Sequence, residues 1–83
     1  MTDATSPEVT VRLFAAARTA AGTPVLSIPA GSIGQRLADL GLGDRFAAVL
    51  AMSTMLCDGR RLSADDQVAA GAVVDVLPPF AGG

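Results

Sequence analysis

The segment Ala70-Gly71-Ala72-Val73-Val74-Asp75-Val76-Leu77-Pro78-Pro79-Phe80-Ala81-Gly82-Gly83 decides how this chain is read, because it contains a turn, a strand, a stop and an end in succession. Ala70-Gly71 turns the chain, and the alternation over 72–77 predicts a strand with Val74 and Val76 facing a core and Val73, Asp75 and Leu77 facing outward. Pro78 and Pro79 hold φ in the extended range, remove two backbone donors and exclude helix, so the spacing predicts a flexible arm over 78–83 that leaves the sheet. Six residues at ~3.4 Å each give that arm a reach of about 20 Å. Gly82 and Gly83 lack a Cβ, so the tip is slim enough for a narrow enzyme channel and adopts any backbone angle inside it. Such an end suits a group that another protein acts upon; on the pattern alone it also fits a frayed terminus.

Upstream, residues 8–15 alternate, with Val9, Val11 and Leu13 on one side and Thr10, Arg12 and Phe14 on the other, which predicts a first half-buried strand. An alanine-rich turn over 15–22 and a short strand over 25–28, stopped by Pro29 and Gly31, complete an antiparallel pair with it. Ser32 and Gln35 match a capping box, and Ile33, Leu37 and Leu40 recur at helical spacing up to Gly41, which predicts the main helix. Gly34 inside its first turn costs about 1 kcal/mol relative to alanine, so this helix depends on packing against the sheet. Asp44 opens a second short helical segment carrying Phe46, Val49 and Leu50. Residues 52–57 return to strand character, Asp58-Gly59 is a hairpin dipeptide, Arg60–Leu62 begins a short strand, and Ser63 with Asp66 forms a local cap.

The order is strand, strand, helix, strand, short strand, strand. It predicts an α+β domain over 8–77, a ubiquitin-like β-grasp with a mixed sheet of four to five strands, its first and last strands parallel at the centre and one main helix behind. Residues 1–7 are small and polar without periodicity, and are expected to be a disordered leader. In this arrangement Arg12 and Phe14 share the uncovered face with Asp75 and Leu77, giving an Arg12–Asp75 pair beside an apolar couple. That face reads as a docking patch or, alternatively, as an ordinary solvent face with one scattered phenylalanine.

Composition narrows the function. The 83 residues make one domain; 51% are hydrophobic, but sixteen are alanine and only three are aromatic, so the core is expected to be thin and aliphatic. The net charge of -2 argues against nucleic acid, and no apolar run approaches the ~18 residues of a membrane span, so a cytoplasmic chain is the expectation. The single Cys57 forms no internal disulfide and reads as a buried, inert thiol. The chain contains no histidine and no lysine. The usual general base, Ser/His and Cys/His pairs, imidazole metal sites, Schiff-base lysines and the P-loop lysine are therefore all missing, and no metal site is expected. The remaining aspartates sit at turns and helix ends, where capping accounts for them.

The opening Val11-Arg12-Leu13-Phe14-Ala15 with Arg18 and Gly22, the Ser32-to-Leu40 helix and the Pro78-Pro79-x-x-Gly82-Gly83 ending resemble the small, sulfur-carrier subunit of molybdopterin synthase, a member of the MoaD/ThiS ubiquitin-like family. The resemblance spans about residues 9–83. The chain departs from the family where Gly71-Ala72-Val73 lacks the acidic residue common after that glycine, and where Arg60-Arg61 replaces a more apolar stretch. The resemblance implies a subunit that is not an enzyme by itself. Its Gly83 carboxylate would be adenylated with ATP by an activating enzyme, converted to a thiocarboxylate and inserted into the large catalytic subunit, within a heterotetramer, to supply sulfur for the molybdopterin dithiolene. Gly83 is then the reacting residue and Gly82 the channel residue; Ala81, Phe80, Pro79, Pro78 and Leu77 seat the arm, with Phe14 and Arg12 on the docking face. No cofactor is expected on the chain itself. Related β-grasp carriers for thiamine or cysteine synthesis, and protein modifiers, share this tail chemistry; Pro78-Pro79 and Phe14-Ala15 favour the molybdopterin carrier. A binding module with an incidental tail is the remaining alternative.

Overall fold

The structure, a computed structural model, describes residues 8–79; the expected leader 1–7 and the tip residues Phe80, Ala81, Gly82 and Gly83 lie outside the described residues. Ten elements follow in order: β1 (Glu8–Leu13), α1 (Ala15–Ala21), β2 (Val25–Pro29), β3 (Gly31–Ser32), α2 (Ile33–Ala38), α3 (Asp44–Met52), β4 (Thr54–Cys57), β5 (Arg60–Leu62), β6 (Gln67–Val68) and β7 (Val73–Leu77). Five strands form one mixed sheet in the order β2-β1-β7-β4-β5, and β3 with β6 makes a small antiparallel ribbon. β1 runs parallel to β7 at the centre, while β1–β2, β4–β7 and β4–β5 are antiparallel. The fold is the expected α+β ubiquitin-like β-grasp.

Alternation in β1 and β7 produces the core directly. Val9, Val11, Val74 and Val76 are fully buried, and Leu13, Ile28, Ile33, Leu37 and Phe46 close around them. Every side chain in this cluster is apolar, and no polar or charged residue is buried among the described residues. The core is held by area removed from water, without buried ion pairs whose desolvation would have to be offset.

The helical layer differs from the sequence reading. Three helices appear, and the longest is α3 with nine residues; α2 has six and stops at Ala38, short of Leu40. The capping box does not form. Ser32 is the N-cap of α2, but its hydroxyl donates to the Ala64 carbonyl at 3.1 Å, and the Gln35 amide donates to Asp39 Oδ1 at 2.8 Å. The segment around Ala64 packs directly on the first turn of α2 and supplies an acceptor for the Ser32 hydroxyl, while no helix N–H reaches the Ser32 oxygen. Gly34 makes that approach possible: its N–H donates to the Ala64 carbonyl at 2.9 Å, and a Cβ there would sit 2.8 Å from the Ala64 Cβ and 2.9 Å from its carbonyl oxygen. Met52, placed in a strand by its sequence context, is the last residue of α3 and is exposed.

The local turns follow their residues. Asp58 and Gly59 both take positive φ, 52° and 78°, as a two-residue hairpin loop of the primed type requires. Gly22 caps α1 in the left-handed conformation with its N–H on the Arg18 carbonyl. Ser63 and Asp66 do close a local turn, but with the aspartate side chain as acceptor: Asp66 Oδ2 accepts the Ser63 N–H at 2.7 Å, and the Asp66 N–H donates to the Ser63 carbonyl at 3.0 Å.

Gly34→Ala gives an opposite answer under propensity and under packing. Helix propensity alone predicts a gain of about 1 kcal/mol. The backbone contact at Ala64 predicts a net loss of roughly 1–3 kcal/mol, readable as a lower urea midpoint.

Candidate functional site

β7 is the element that positions the site. It is hydrogen-bonded on both sides, to β1 through residues 73–76 and to β4 through residues 74–77, so the chain is pinned up to Leu77. Pro78 and Pro79 then supply no donors, and the ladder ends there. The arm begins later than its sequence suggests: the Pro78 side chain is buried against the fold and Pro79 is exposed. The buried proline fixes the exit, because a ring with a locked φ is seated where the strand stops. Among the arm and tip residues assigned from sequence, Leu77, Pro78 and Pro79 lie within the described residues; Phe80, Ala81, Gly82 and Gly83 do not.

The open face of the sheet surrounds that exit. Strand register puts Val25, Arg12, Asp75, Leu56 and Arg61 in one row across β2, β1, β7, β4 and β5, and Thr54 and Leu77 in the next. Arg12 donates from Nε to Asp75 Oδ1 at 2.6 Å and from Nη2 to Asp75 Oδ2 at 2.8 Å, a bidentate fork between parallel neighbours. Among the described residues this is the one ion pair. The hydrogen bond to Asp75, and then its charge, raise the Arg12 guanidinium further above its ordinary value. A cation whose folded value is raised keeps its full contribution below its ordinary value and loses it only at strongly alkaline pH, so Arg12 stays charged and paired across the neutral range. The pair is exposed and screened by salt; it orders the centre of the face more than it stabilises the fold.

Phe14 continues the outward alternation of β1 and is 40% exposed. Its N–H donates to the Val76 carbonyl at 3.3 Å, and its own carbonyl accepts the Ala17 N–H at 3.1 Å, so its backbone is tied to β7 and to α1 together. Ala15 follows with φ of 50°, a left-handed turn uncommon outside glycine, which swings the chain from β1 into α1 and leaves Phe14 at the rim. Val25 and Val73 are exposed on the same face. The apolar surface is therefore wider than Phe14 and Leu77. Leu56 was not assigned from sequence, although alternation in Thr54-Met55-Leu56-Cys57 beside the Asp58-Gly59 turn carries the signal that it points outward.

Behind the sheet, α2, α3 and β4–β5 enclose a cleft of about 790 Å³, floored by Leu37, Phe46, Leu50 and Met55 with Asp44 and Asp65 at its edge. Its two hydroxyls are committed to backbone carbonyls, Ser32 to Ala64 and Ser53 to Val49. Nothing there pairs a nucleophile with a base. Among the described residues no group of His, Cys, Asp or Glu converges as a metal site, and no helix is long and apolar enough to cross a membrane. Cys57 is half-buried and packs against the core beside Val74, somewhat less enclosed than its sequence context suggests.

No protein-family model matches the chain, and no curated protein matches it in sequence. Solved structures do match in fold. A candidate molybdopterin converting factor subunit 1 from Pyrococcus furiosus superposes with a TM-score of 0.71 at 26% identity, covering 90% of this chain and 100% of that one. The small archaeal modifier SAMP1 from Haloferax volcanii gives 0.71 at 20% identity, covering 92% and 99%. A chain of the complex of subunits 1 and 2 of molybdopterin-converting factor from Helicobacter pylori gives 0.64 at 21% identity, covering 92% and 99%.

The two phenylalanines within the described residues separate surface from core. Phe46→Ala removes a buried ring and is expected to cost about 3–5 kcal/mol, whereas Phe14→Ala costs about 1 kcal/mol, both from urea denaturation. Equal losses would make Phe14 a core residue and remove it from the docking face.

Proposed function

We propose that this chain is a sulfur carrier, the small subunit of a molybdopterin synthase, with Gly83 as its reacting carboxyl-terminal residue. The carrying observation is the placement of the last strand. β7 is locked in the middle of the sheet on both sides and releases the chain at Pro78, beside an exposed apolar face holding Phe14, Leu77 and the Arg12–Asp75 pair. A rigid scaffold that aims an end, with a contact surface next to the exit, is what delivery into another protein's active site requires. Fold likeness to molybdopterin-converting-factor subunits, one of them in complex with subunit 2, supports the same reading.

The chemistry explains why the chain needs no catalytic groups of its own. A carboxylate resists nucleophiles because it is anionic at neutral pH. Attack of a Gly83 carboxylate oxygen on the α-phosphorus of ATP, with loss of pyrophosphate, forms an acyl-adenylate. Hydrosulfide then attacks the acyl carbon, the C–O bond to the phosphate breaks, and AMP leaves; the product is a thiocarboxylate, whose sulfur is the group passed on. The activating enzyme supplies the nucleotide site and the large subunit supplies the pterin site; this chain supplies reach, slimness and docking. All of these steps belong in the cytoplasm, where ATP and reduced sulfur are available. The modifier SAMP1 among the structural matches favours a second reading, in which the activated Gly83 is attached to other proteins.

Incubated with an activating enzyme, ATP and a sulfur donor, the intact protein should gain about 16 Da at Gly83, the replacement of one oxygen by sulfur. A variant lacking Gly83 should gain nothing. An unchanged mass, or an equal gain after the deletion, refutes the carrier. Co-purification with a molybdopterin-synthase large subunit decides for the first reading, and covalent adducts with other proteins for the second.

A further inference from the structure

Arg61 lies on the same open face, at its far edge. Its register partner is Leu56, which pairs with Asp75, which pairs with Arg12, so the four side chains form one outward row. Asp75 is already held by both oxygens in the fork from Arg12. Strands are about 4.8 Å apart, so Arg61 lies two strands, roughly 10 Å, from Asp75. At physiological ionic strength the screening length is about 8 Å, and little of the Asp75 charge reaches Arg61. Among the described residues Arg61 makes no side-chain hydrogen bond or ion pair, and it is exposed. Among the described residues the face thus presents a neutralised centre, an apolar surround of Phe14, Leu77, Leu56 and Val73, and at the β5 rim a cation, Arg61, without a partner.

We infer that Arg61 is a specificity-determining residue of the docking face, and that it takes a carboxylate on the large subunit. The inference rests on the docking role proposed above and names a contact within it. A partner that covers Leu56 draws Arg61 partly out of water, and a partner without an acid at that point leaves the guanidinium with fewer hydrogen bonds than it had in solvent. The planar fork of arginine matches a carboxylate in two-point geometry, which adds register to charge.

The competing explanation is edge protection. β5 is an outer strand of the sheet, and charged side chains on such a strand discourage pairing with other chains. Arg60 serves that purpose equally well, since it is exposed on the same strand, but it pairs with Cys57 in the row that faces the core and so points away from the docking face. The neighbouring arginine is therefore an internal control for charge on β5.

The test measures association rate and affinity between the full chain and the large subunit of the same organism, for the parent, R61A, R61E and R60E, at low and high salt. R61A should weaken binding about two- to fivefold and R61E about tenfold or more, chiefly through the association rate. The differences should shrink at about 0.5 M salt, where the screening length falls below ~5 Å. R60E should stay within about twofold of the parent, and thiocarboxylation should proceed equally in all four. An Asp→Lys or Glu→Lys change on the large subunit that restores binding to R61E identifies the partner carboxylate. Parent-like binding by R61E, an equal loss in R60E, or a loss that does not respond to salt overturns the inference. Self-association of R61A with unchanged partner binding also overturns it and assigns Arg61 to edge protection. Failure of the parent itself to bind overturns the docking role and this contact together, whereas normal parent binding with an indifferent Arg61 overturns the contact alone.

Discussion

The parallel pairing of β1 with β7 is the constraint on which the rest of this structure depends. It joins residues more than sixty positions apart, since Arg12 and Asp75 meet across it with a separation of 63. It places four fully buried valines back to back under the helices. Because side chains alternate with a period of two, the same register that buries Val11 with Val74 sets Arg12 beside Asp75 on the other side. A slip by one residue would put the valines in water and the ion pair in the core. Core and open face are therefore specified by one choice of register, and neither can change without the other.

That arrangement divides the labour of the molecule. The buried side contains only apolar groups and supplies stability. The open side holds charges and half-exposed hydrophobics in an ordered row and is available to a partner. The exit of the chain is fixed between them: β4 holds the last strand as far as Leu77, and the buried Pro78 seats the first residue beyond it.

The sheet was legible in the sequence because its signals are local and of one kind. Alternation in Val9–Leu13 and Val73–Leu77, the Asp58-Gly59 turn and the Pro78-Pro79 stop each report directly on the backbone, and the Arg12–Asp75 pair follows once the β-grasp arrangement sets the first and last strands side by side. The helical layer was less legible because a distant segment controls it. Ser32 and Gln35 have the residue types of a capping box, but the Ser32 hydroxyl donates to the Ala64 carbonyl, thirty-two positions away, and caps no helix N–H. Gly34, a defect by propensity, is the position that admits the Ala64 backbone. The ring of Pro78 ends a strand and so marks the first residue of a projecting arm in the sequence; its burial depends on the packing surface at the sheet's end, which no local pattern reports. Arg61 and Leu56 were missed for the opposite reason. Their alternation was present in the sequence, but their place in the row needed the β4–β5 and β4–β7 registers.

The central claim, that the open sheet face and the chain exit form one docking surface, is tested most directly by backbone amide NMR of the isotopically labelled protein mixed with a molybdopterin-synthase large subunit. Signals of Arg12, Phe14, Leu56, Asp75 and Leu77 should shift or broaden together, while those of Leu37, Leu42 and Leu50 around the helical cleft keep their positions. Perturbation confined to the cleft, with an unchanged sheet face, would contradict the account.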